Sequence, residues 1–241
     1  MRILINVPTY NRKKTAEVCL ANLYKYKQDC TVHVYNDWST EYDNAFLEPY
    51  ADKVFKLPES SLRVVKNEEN KNGMGVQHLR WYQLRNFLDT DYDALYLTDA
   101  DAIHDPSYVN VLKHLPNSHP ISLYASRRKG FQPTRTNTYF SKYVGGISVF
   151  FTREMVRCIV DELNRREVDP SYAWDYHVFE YLNQKVRVTS TCYVEHLGAG
   201  GLHSGARDWN HDRAQSPTNY LQRLRDPAIA YIENRGQKPR I

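Results

Sequence analysis

Apolar runs and amphipathic segments alternate along the first part of the chain. Ile3–Val7 is an apolar run closed by Pro8, which is typical of a buried strand. This apolar run is too short for a signal peptide, so a first strand explains the start of the chain better. The next segment carries apolar residues at the spacing of one helix face, namely Ala16, Cys19, Leu20 and Leu23.

The alternation continues to the end of the first hundred residues. Three more apolar runs predict strands at Thr31–Tyr35, Leu62–Val65 and Ala94–Leu97. A helix is predicted between the last two, from about Val76 to Leu88. Strands that alternate with helices indicate an α/β fold with a mostly parallel, doubly wound sheet. Ligands of such sheets bind beyond the carboxyl ends of the strands.

The remaining residues have a more mixed pattern. Strands are predicted at Ile121–Tyr124, Ile147–Phe151 and Val186–Val194. Two helix faces are predicted, one from Met155, Cys158, Ile159 and Leu163 and one from Trp174, Val178, Tyr181 and Leu182. The sequence contains no internal repeat and no low-complexity tract. We therefore expect one domain over residues 1–241, with a first half of residues 1–101 and a second half of residues 102–241.

Composition narrows the possible functions only slightly. The 32 Lys and Arg residues exceed the 28 Asp and Glu residues, and the net charge of +4 permits a phosphate-bearing partner without requiring one. The four cysteines form no CxxC pair, so a zinc or redox site is not indicated and reduced thiols in the cytoplasm are expected. No run approaches the roughly 20 apolar residues of a membrane span, so no integral membrane contact is expected.

Two carboxylates follow the strand predicted at Ala94–Leu97. Asp99 and Asp101 are separated by one residue, so in extended backbone their side chains point the same way. Such carboxylates repel each other unless a cation separates them, and oxygen ligands suit Mg²⁺ or Mn²⁺. The structural alternative is that Asp99 caps a turn and Asp101 caps a helix near Pro106–Leu115.

Four segments in a fixed order carry a family resemblance. They are VPTYNR (Pro8 to Arg12), YNDWST (Asp37 to Thr40), NGMGVQHLR (Asn72 to Arg80) and LYLTDAD (Asp99 and Asp101). In this order they resemble family-two glycosyltransferases of the glycosyltransferase-A fold, a Rossmann-like sheet flanked by helices. The resemblance implies a nucleotide-sugar-binding half at 1–101 and an acceptor-binding half at 102–241.

The resemblance also implies roles for individual residues. The segment that contains Pro8, Thr9, Tyr10 and Arg12 would open the nucleotide pocket. Asp37 would contact the uracil or the ribose, and Arg80 would lie near the base and diphosphate. Asp99 and Asp101, the DxD pair, would bind the divalent metal and the nucleotide-sugar.

Later residues extend the resemblance towards the acceptor. Gly145 and Gly146 look like the glycine pair of the family beside the donor sugar, although an ordinary turn would also explain them. Asp175 resembles the acidic motif from which inverting members draw a general base, and the alternative is a favourable charge at a helix N-terminus. The family usually has two adjacent acids here, whereas Trp174 precedes Asp175 in this chain and could instead stack on a sugar.

Two late histidines are candidates for the donor site. His196 follows a predicted strand and looks like the third metal ligand of metal-dependent members. His203 lies in the glycine-rich Gly198–Gly205 loop, which we expect to close over the donor, and could contact the diphosphate. Glu195 is expected either to support a metal ligand without contacting the metal itself or to lie on the protein surface.

Basic residues interleaved with aromatic ones could bind an anionic acceptor, although such charge runs are usually solvated. They are Arg127, Arg128, Lys129, Phe131, Arg135, Tyr139, Phe140, Lys142 and Tyr143, followed by a basic tail with Arg207, Arg213, Arg223, Arg225, Arg235, Lys238 and Arg240. One candidate acceptor is a hydroxymethylated pyrimidine in DNA, as some bacteriophage glycosyltransferases modify, which would place the protein in the host cytoplasm. Such a base in a duplex would have to be flipped out. A surface polysaccharide or a small molecule is the alternative.

The sequence thus predicts a glycosyltransferase that uses Mn²⁺ or Mg²⁺ and a nucleotide-sugar, expected to be a UDP-sugar such as UDP-glucose, with an inverting reaction. A sugar-1-phosphate nucleotidyltransferase is disfavoured because VPTYNRKK lacks the glycine-rich signature expected near the N-terminus. A non-catalytic nucleic-acid-binding module would explain the basic stretches but not the ordered motifs. The sequence does not indicate the oligomeric state.

Overall fold

The computed structural model describes residues 1–57, 74–126, 137–166, 174–198 and 213–241. The strands are β1 (Ile3–Thr9), β2 (Thr31–Asn36), β3 (Lys53–Lys56), β4 (Ala94–Thr98), β5 (Ala102–His104), β6 (Ile121–Ser122), β7 (Thr138–Ser141), β8 (Ser148–Thr152), β9 (Val186–Thr189) and β10 (Val194–His196). The helices are α1 (Lys13–Lys25), α2 (Asn44–Leu47), α3 (Gly75–Leu88), α4 (Tyr108–His114), α5 (Arg153–Arg165), α6 (Trp174–Leu182) and α7 (Asn219–Ile232). None of the helices within these ranges is long and apolar enough to cross a bilayer.

One large sheet organises the described part of the chain. Its strand order is β3-β2-β1-β4-β8-β6-β9-β7, and β5 and β10 form a separate two-stranded sheet. The first four strands of this order run parallel, and β8 pairs antiparallel with β4. This arrangement confirms the predicted mixed α/β fold with a large sheet flanked by helices.

Helices cover both faces of the sheet because its central strands are apolar on both sides. Ile3 and Ile5 of β1 pack in a core with α1 and α4, whereas Leu4 packs in a second core with α3, α5 and α6. A third cluster joins α7 to α1 and β5, through residues such as Leu221 and Ile103. The double burial explains why β1 and β4 are continuous apolar runs rather than alternating ones.

The parallel strands bring their carboxyl ends to one edge of the sheet. Thr9 of β1 pairs with Asn36 of β2, and β4 lies on the other side of β1. The segments that follow β1, β2 and β4 therefore meet at this edge, which we call the donor edge. It contains Thr9 to Arg12, Asp37 to Glu41 and Asp99 to Asp101, as the sequence predicts.

Several predicted elements differ from the structure. Pro8 does not close the first strand but lies inside β1, where β1 pairs with β2 alone because the β4 register stops at Asn6. The predicted strand Val186–Val194 is two strands, β9 in the large sheet and β10 beside β5. The predicted strand Leu62–Val65 lies outside the described residues, and β3 was not predicted.

Two helices also differ from their predictions. Cys158 was placed on the apolar face of its helix, but it is exposed on α5 while Val156 and Ile159 are buried. Arg223 and Arg225 were assigned to a basic tail, yet they belong to helix α7. Arg225 is only 4% exposed, so α7 is anchored to the domain rather than extended from it.

Candidate active site

Asn11 joins the first two segments of the donor edge. Its Oδ1 accepts hydrogen bonds from the backbone N–H of Thr40 at 2.8 Å and from the Ser39 hydroxyl at 3.0 Å. Asn11 and Arg12 both have left-handed backbone, with φ of 49° and 58°. Asparagine tolerates this conformation well, so the turn is compatible with the sequence TYNR. The turn directs Arg12 towards the segment after β4.

Asp37 supports the start of helix α3. Its two carboxylate oxygens accept hydrogen bonds from the backbone N–H groups of Met74 at 2.6 Å and Gly75 at 2.9 Å. The Asp37 side chain is buried. A carboxylate in this position neutralises N–H groups that have no partner within the helix and interacts favourably with the helix dipole. The contact of Asp37 with a nucleotide, which the family resemblance implies, stays a prediction.

Arg80 holds Asp99 from inside the protein. The Arg80 side chain is fully buried and forms an ion pair with Asp99. It also donates to the Thr98 carbonyl at 2.8 Å and to Oε1 of Gln83 at 2.9 Å. With no exposed surface of its own, Arg80 lies beneath the donor edge and orients the first carboxylate of the DxD pair. Its proposed place near the base and diphosphate would require its surroundings to move.

Asp101 is held by different partners. Its Oδ2 accepts a hydrogen bond from Arg12 Nη1 at 2.9 Å, and its Oδ1 lies 3.2 Å from Nε2 of His196. Arg12 also donates to the Leu197 carbonyl at 3.0 Å, and the Leu197 N–H donates to the Asp101 carbonyl at 2.7 Å. The turn after β1, the turn after β4 and the end of β10 are therefore locked together around one carboxylate.

The two carboxylates differ in their electrostatic environment. Burial raises the pKa of Asp99, and the nearby Asp101 adds to this although Arg80 opposes it. Burial also disfavours the charged form of Asp101, but His196 and Arg12 hold its pKa well below its usual range. Asp101 is thus the member of the pair that stays ionised most readily, as a cation ligand must.

The donor set around Asp101 fits part of a divalent metal site. Two ligands about 2.1 Å from a shared octahedral metal lie about 3 Å apart, which matches the separation of Asp101 Oδ1 and His196 Nε2. No group of three His, Cys, Asp or Glu side chains within the described ranges converges closely enough to hold a metal. Asp99 is instead directed at Arg80. The spacing of Asp101 and His196 is that of two ligands of one cation, and Asp99 would have to turn from Arg80 to become a third.

The small β5–β10 sheet carries His196 to this position. His196 of β10 pairs with Ala102 of β5, directly after Asp101. Glu195, the preceding residue, is fully buried and accepts a hydrogen bond from the Ala214 N–H at 3.0 Å. The surface position considered for Glu195 is therefore wrong. Its alternation with His196 along β10 sends Glu195 to the interior and the imidazole to the donor edge.

Trp174 lies at the start of α6 and packs against α3. Its backbone N–H donates to Oε1 of Gln77 at 2.7 Å, and the Arg80 guanidinium carbon lies 5.5 Å from its ring centroid. A Cβ added to Gly146 would fall 2.4 Å from Cζ2 of Trp174. Trp174 is only 4% exposed, so little of its ring is open to a sugar in this arrangement. Asp175 follows it in the first turn of α6. Burial lowers the pKa of Arg80, and the charge of Asp175 is one of those that oppose this effect.

Comparison with known proteins agrees with this geometry. The sequence model of the family described as Glycosyl transferase family 2 matches residues 5–179, which is well over half of the chain. The chain belongs to glycosyl transferase family 2. This confirms the family named from the ordered motifs and, at the level of the family, the prediction of a glycosyltransferase. The match extends through every element that contributes to the donor edge except β10.

Two solved structures share the fold of this family 2 chain. One is described as S. aureus TarS 1-349, with 14% identity, a TM-score of 0.50, and coverage of 79% of this chain and 58% of that one. The other is the mannosyltransferase PcManGT from Pyrobaculum calidifontis in complex with GDP-Man and Mn²⁺, with 19% identity, a TM-score of 0.51, and coverage of 85% and 59%. The chain thus spans less than two thirds of the length of either structure. Curated proteins give no match.

The structure places the other predicted residues of this family 2 chain less decisively. Tyr10 is partly exposed in the donor-edge turn, next to the strand residues Pro8 and Thr9. A Cβ added to Gly145 would meet Ile147 at 3.9 Å, an ordinary contact, so the two glycines differ in how tightly they are packed. His203 and most of the Gly198–Gly205 loop lie outside the described residues.

The basic and aromatic stretch is only partly described. Tyr139 and Phe140 lie on β7, which the sequence analysis did not predict, and Phe140 is 46% exposed. Strand β7 is at the far edge of the sheet, with β8, β6 and β9 between it and β4. At about 4.8 Å per strand this separation is roughly 19 Å, so the structure does not bring Phe140 to the donor edge.

The roles of three residues of the site were missed by sequence reasoning. Asn11 had a local signal, since asparagine in a turn after a strand favours left-handed backbone. Gln77 and Gly198 had none, because their roles depend on residues distant in sequence. Gln77 binds the start of α6, and Gly198 leaves room for the His196 ring.

Proposed function

We propose that this chain transfers a sugar from a nucleotide-diphosphate sugar to an acceptor hydroxyl, in a reaction that depends on Mn²⁺ or Mg²⁺. Membership of glycosyl transferase family 2 supports the reaction class. The observation that carries the metal dependence is the pair formed by Asp101 and His196, with 3.2 Å between Oδ1 and Nε2 at the donor edge. This separation suits two ligands of one cation, and Arg12 donates a hydrogen bond to the other oxygen of the Asp101 carboxylate at 2.9 Å.

The proposed division of labour follows from the positions of the side chains. Asp101 and His196 would hold the cation, and Asp99 would join them on release from Arg80. A bound cation supplies positive charge that stabilises the diphosphate as it leaves. Asp175 takes the proton of the acceptor hydroxyl, whose oxygen forms a bond to the anomeric carbon while the bond from that carbon to the diphosphate breaks. The products are the glycosylated acceptor and a nucleoside diphosphate.

The proposal retains two candidate donors and two classes of acceptor. A UDP-sugar such as UDP-glucose is the family expectation, and GDP-mannose is a second candidate because the PcManGT structure contains GDP-Man with Mn²⁺. For the acceptor, a hydroxymethylated pyrimidine in DNA and a polysaccharide or small molecule are both retained. The described basic residues do not favour one over the other, since β7 lies away from the donor edge and Arg225 is buried in α7.

The test is donor turnover by the purified chain. UDP-glucose and GDP-mannose are each incubated with the protein and Mn²⁺, Mg²⁺ or a chelator, and release of the nucleoside diphosphate is measured with and without each acceptor class. We expect slow donor hydrolysis that requires the metal and accelerates with the correct acceptor. Asp101→Asn should lower the rate at least about 100-fold, since it removes a charged ligand from the reaction centre.

Two controls make this result interpretable. Asp91→Asn changes a carboxylate that is 78% exposed and outside the site, so its rate should match the parent. Asp101 also binds Arg12, so the melting temperature of Asp101→Asn is measured to separate lost chemistry from lost structure. Equal rates for Asp101→Asn and the parent would contradict the proposal. Pyrophosphate exchange would indicate a nucleotidyltransferase, and salt-sensitive DNA binding without nucleotide affinity would indicate a binding module.

A further inference from the structure

Helix α3 contacts both the DxD pair and the start of α6. Arg80 on α3 binds Asp99, and the same guanidinium lies over the ring of Trp174. Gln77, one turn earlier on α3, accepts the backbone N–H of Trp174 at 2.7 Å. That N–H belongs to the first residue of α6, where helix geometry leaves N–H groups without partners inside the helix. Two side chains of α3 therefore fix the first residue of α6, one through its backbone and one through its ring.

Gly146 completes the enclosure of Trp174 from another element. An added Cβ at Gly146 would lie 2.4 Å from Cζ2 and 2.9 Å from Cε2 of Trp174, closer than real carbon atoms approach. The ring is only 4% exposed, so it cannot move aside without disturbing the packed core around it. The neighbouring Gly145 has ordinary space for a Cβ. The tight packing is thus specific to Gly146 rather than a property of the glycine pair.

We propose that Gly146, Gln77 and Arg80 are positioning residues that fix Trp174 and thereby the start of α6, whose first turn carries Asp175. The inference rests on the proposed function, because it gives a mechanical role to the residues around the proposed base. It assigns Gly146 a purpose different from contact with the donor sugar: glycine is needed there because the indole ring occupies the space of a side chain. Trp174 then acts through its ring, as a wedge between α3 and the segment before β8, rather than as a sugar platform.

The first arm of the test compares two glycine substitutions. Gly146→Ala should push the indole ring and the start of α6 away, so the turnover number falls about 10- to 100-fold, as for a displacement of about 1 Å at a reacting group. The KM for the nucleotide-sugar should change less than about twofold, because Gly146 and Trp174 lie outside the three segments of the donor edge. Gly145→Ala should lower the turnover number far less. A rise in donor KM without a fall in turnover, or equal effects of both substitutions, would overturn the inference.

The second arm asks for compensation. The double variant Gly146→Ala with Trp174→Phe replaces the indole by a smaller ring that lacks the atoms nearest to Gly146. We expect the double variant to turn over at least about fivefold faster than Gly146→Ala alone, since coupled neighbours depart from additivity. Gln77→Leu keeps most of the volume of the side chain but removes the acceptor of the Trp174 N–H, so it covers the case in which Gly146→Ala does not fold. It should show the same fall in turnover with unchanged donor KM, and no fall would count against the inference.

The third arm needs no donor. Gly146→Ala should make one of the four tryptophans more accessible to acrylamide quenching, and the increase should vanish in the Trp174→Phe background. Gly145→Ala should leave quenching unchanged. If the parent protein turned over no nucleotide-sugar, the proposed function would fail. The quenching measurement would still decide whether Gly146 positions the Trp174 ring. Unchanged quenching in Gly146→Ala would show that Gly146 does not position the Trp174 ring, and would overturn the inference.

Discussion

A methyl group on Gly198 would lie 2.0 Å from Cε1 of His196 and 2.6 Å from both of its ring nitrogens. The backbone at Gly198 therefore packs directly against the imidazole ring, and the Asp101 carboxylate contacts Nε2 of the same ring at 3.2 Å. A residue with any side chain at 198 would displace the ring that we propose as a metal ligand.

Gly198→Ala should accordingly behave like the loss of His196. We expect both Gly198→Ala and His196→Ala to weaken Mn²⁺ binding by about tenfold or more, as loss of a positioned ligand or its support does. Isothermal titration with Mn²⁺ measures this without a substrate. Gly236→Ala is the matched control, because it places a methyl group on an exposed glycine near Ala230, away from the donor edge. Full Mn²⁺ affinity in Gly198→Ala would contradict this prediction, because it would show that the methyl group does not displace the His196 ring from a binding position.

Asp37→Asn should destabilise the fold even before any nucleotide is added. The substitution removes a charge that accepts two backbone N–H groups at the start of α3, so the free energy of unfolding should fall by about 1–2 kcal/mol. Urea denaturation measures the change. The control is Asp43→Asn, at an exposed cap of the four-residue helix α2. It should lower the free energy of unfolding by only a few tenths of the loss expected for Asp37→Asn. Equal losses for the two variants would mean that Asp37 does not support α3.

The pH dependence of stability should include a contribution from His33. Burial, helped by Lys53, lowers the pKa of His33 to about 4, compared with about 6.5 in the unfolded chain. The unfolded state thus binds the extra proton first, so this contribution to stability is complete above about pH 6.5 and is lost as the pH falls towards 4. His33→Phe, which keeps a ring against Phe55, should flatten the pH profile of unfolding in that window. A parent-like pH profile for His33→Phe would contradict the assignment.

Thiol reactivity should separate one cysteine from the other three. Cys158 is exposed, whereas Cys19, Cys30 and Cys192 are buried. Burial also raises the pKa of Cys30 to about 11, which keeps it in the unreactive thiol form. A colorimetric thiol reagent should therefore modify one cysteine in the native protein and four in denaturant. Cys158→Ser should abolish the native reaction, and a fast-reacting thiol in that variant would argue against the burial of Cys19, Cys30 or Cys192.

The donor edge was predictable because it follows from local pattern and topology. Apolar runs locate β1, β2 and β4, and the carboxyl ends of parallel neighbours must meet, so Asp37 and Asp99 could be placed at one edge before any coordinates. The alternative that Asp101 caps a helix could not be decided this way. The structure rejects it, because β5 separates Asp101 from α4 and Asp105 accepts the Ser107 N–H instead.

The depth of a side chain was not predictable from its motif. Arg80 lies in a segment that resembles a nucleotide-binding motif, but only the packing of α3 against β1 and β4 shows that it is buried under Asp99. Likewise, the apolar run Val186–Val194 does not indicate which strands it will pair with, so its division into β9 and β10 was not predictable.

Helix α7 was missed for a specific reason. Leu221, Leu224, Ala228 and Ile229 have helical spacing, but Pro227 lies inside the helix and several arginines surround it. Proline removes a hydrogen bond and clashes with the preceding turn, so the sequence alone favours a tail. Packing of these apolar residues against α1 and β5 compensates for the proline, and only the tertiary structure supplies that contribution.

The hydrogen bond from Arg12 to the Leu197 carbonyl joins residues 185 positions apart. Contacts of such separation form slowly, because most of the intervening chain must be ordered before the two ends can meet. During synthesis on a ribosome, β2 and β4, which Asp37 and Asp99 follow, can each pair with β1 long before Leu197 has emerged. The segment with Asp99 and Asp101 is therefore made early and His196 arrives last, so the cation site that we propose at Asp101 and His196 is complete only when nearly the whole chain has folded.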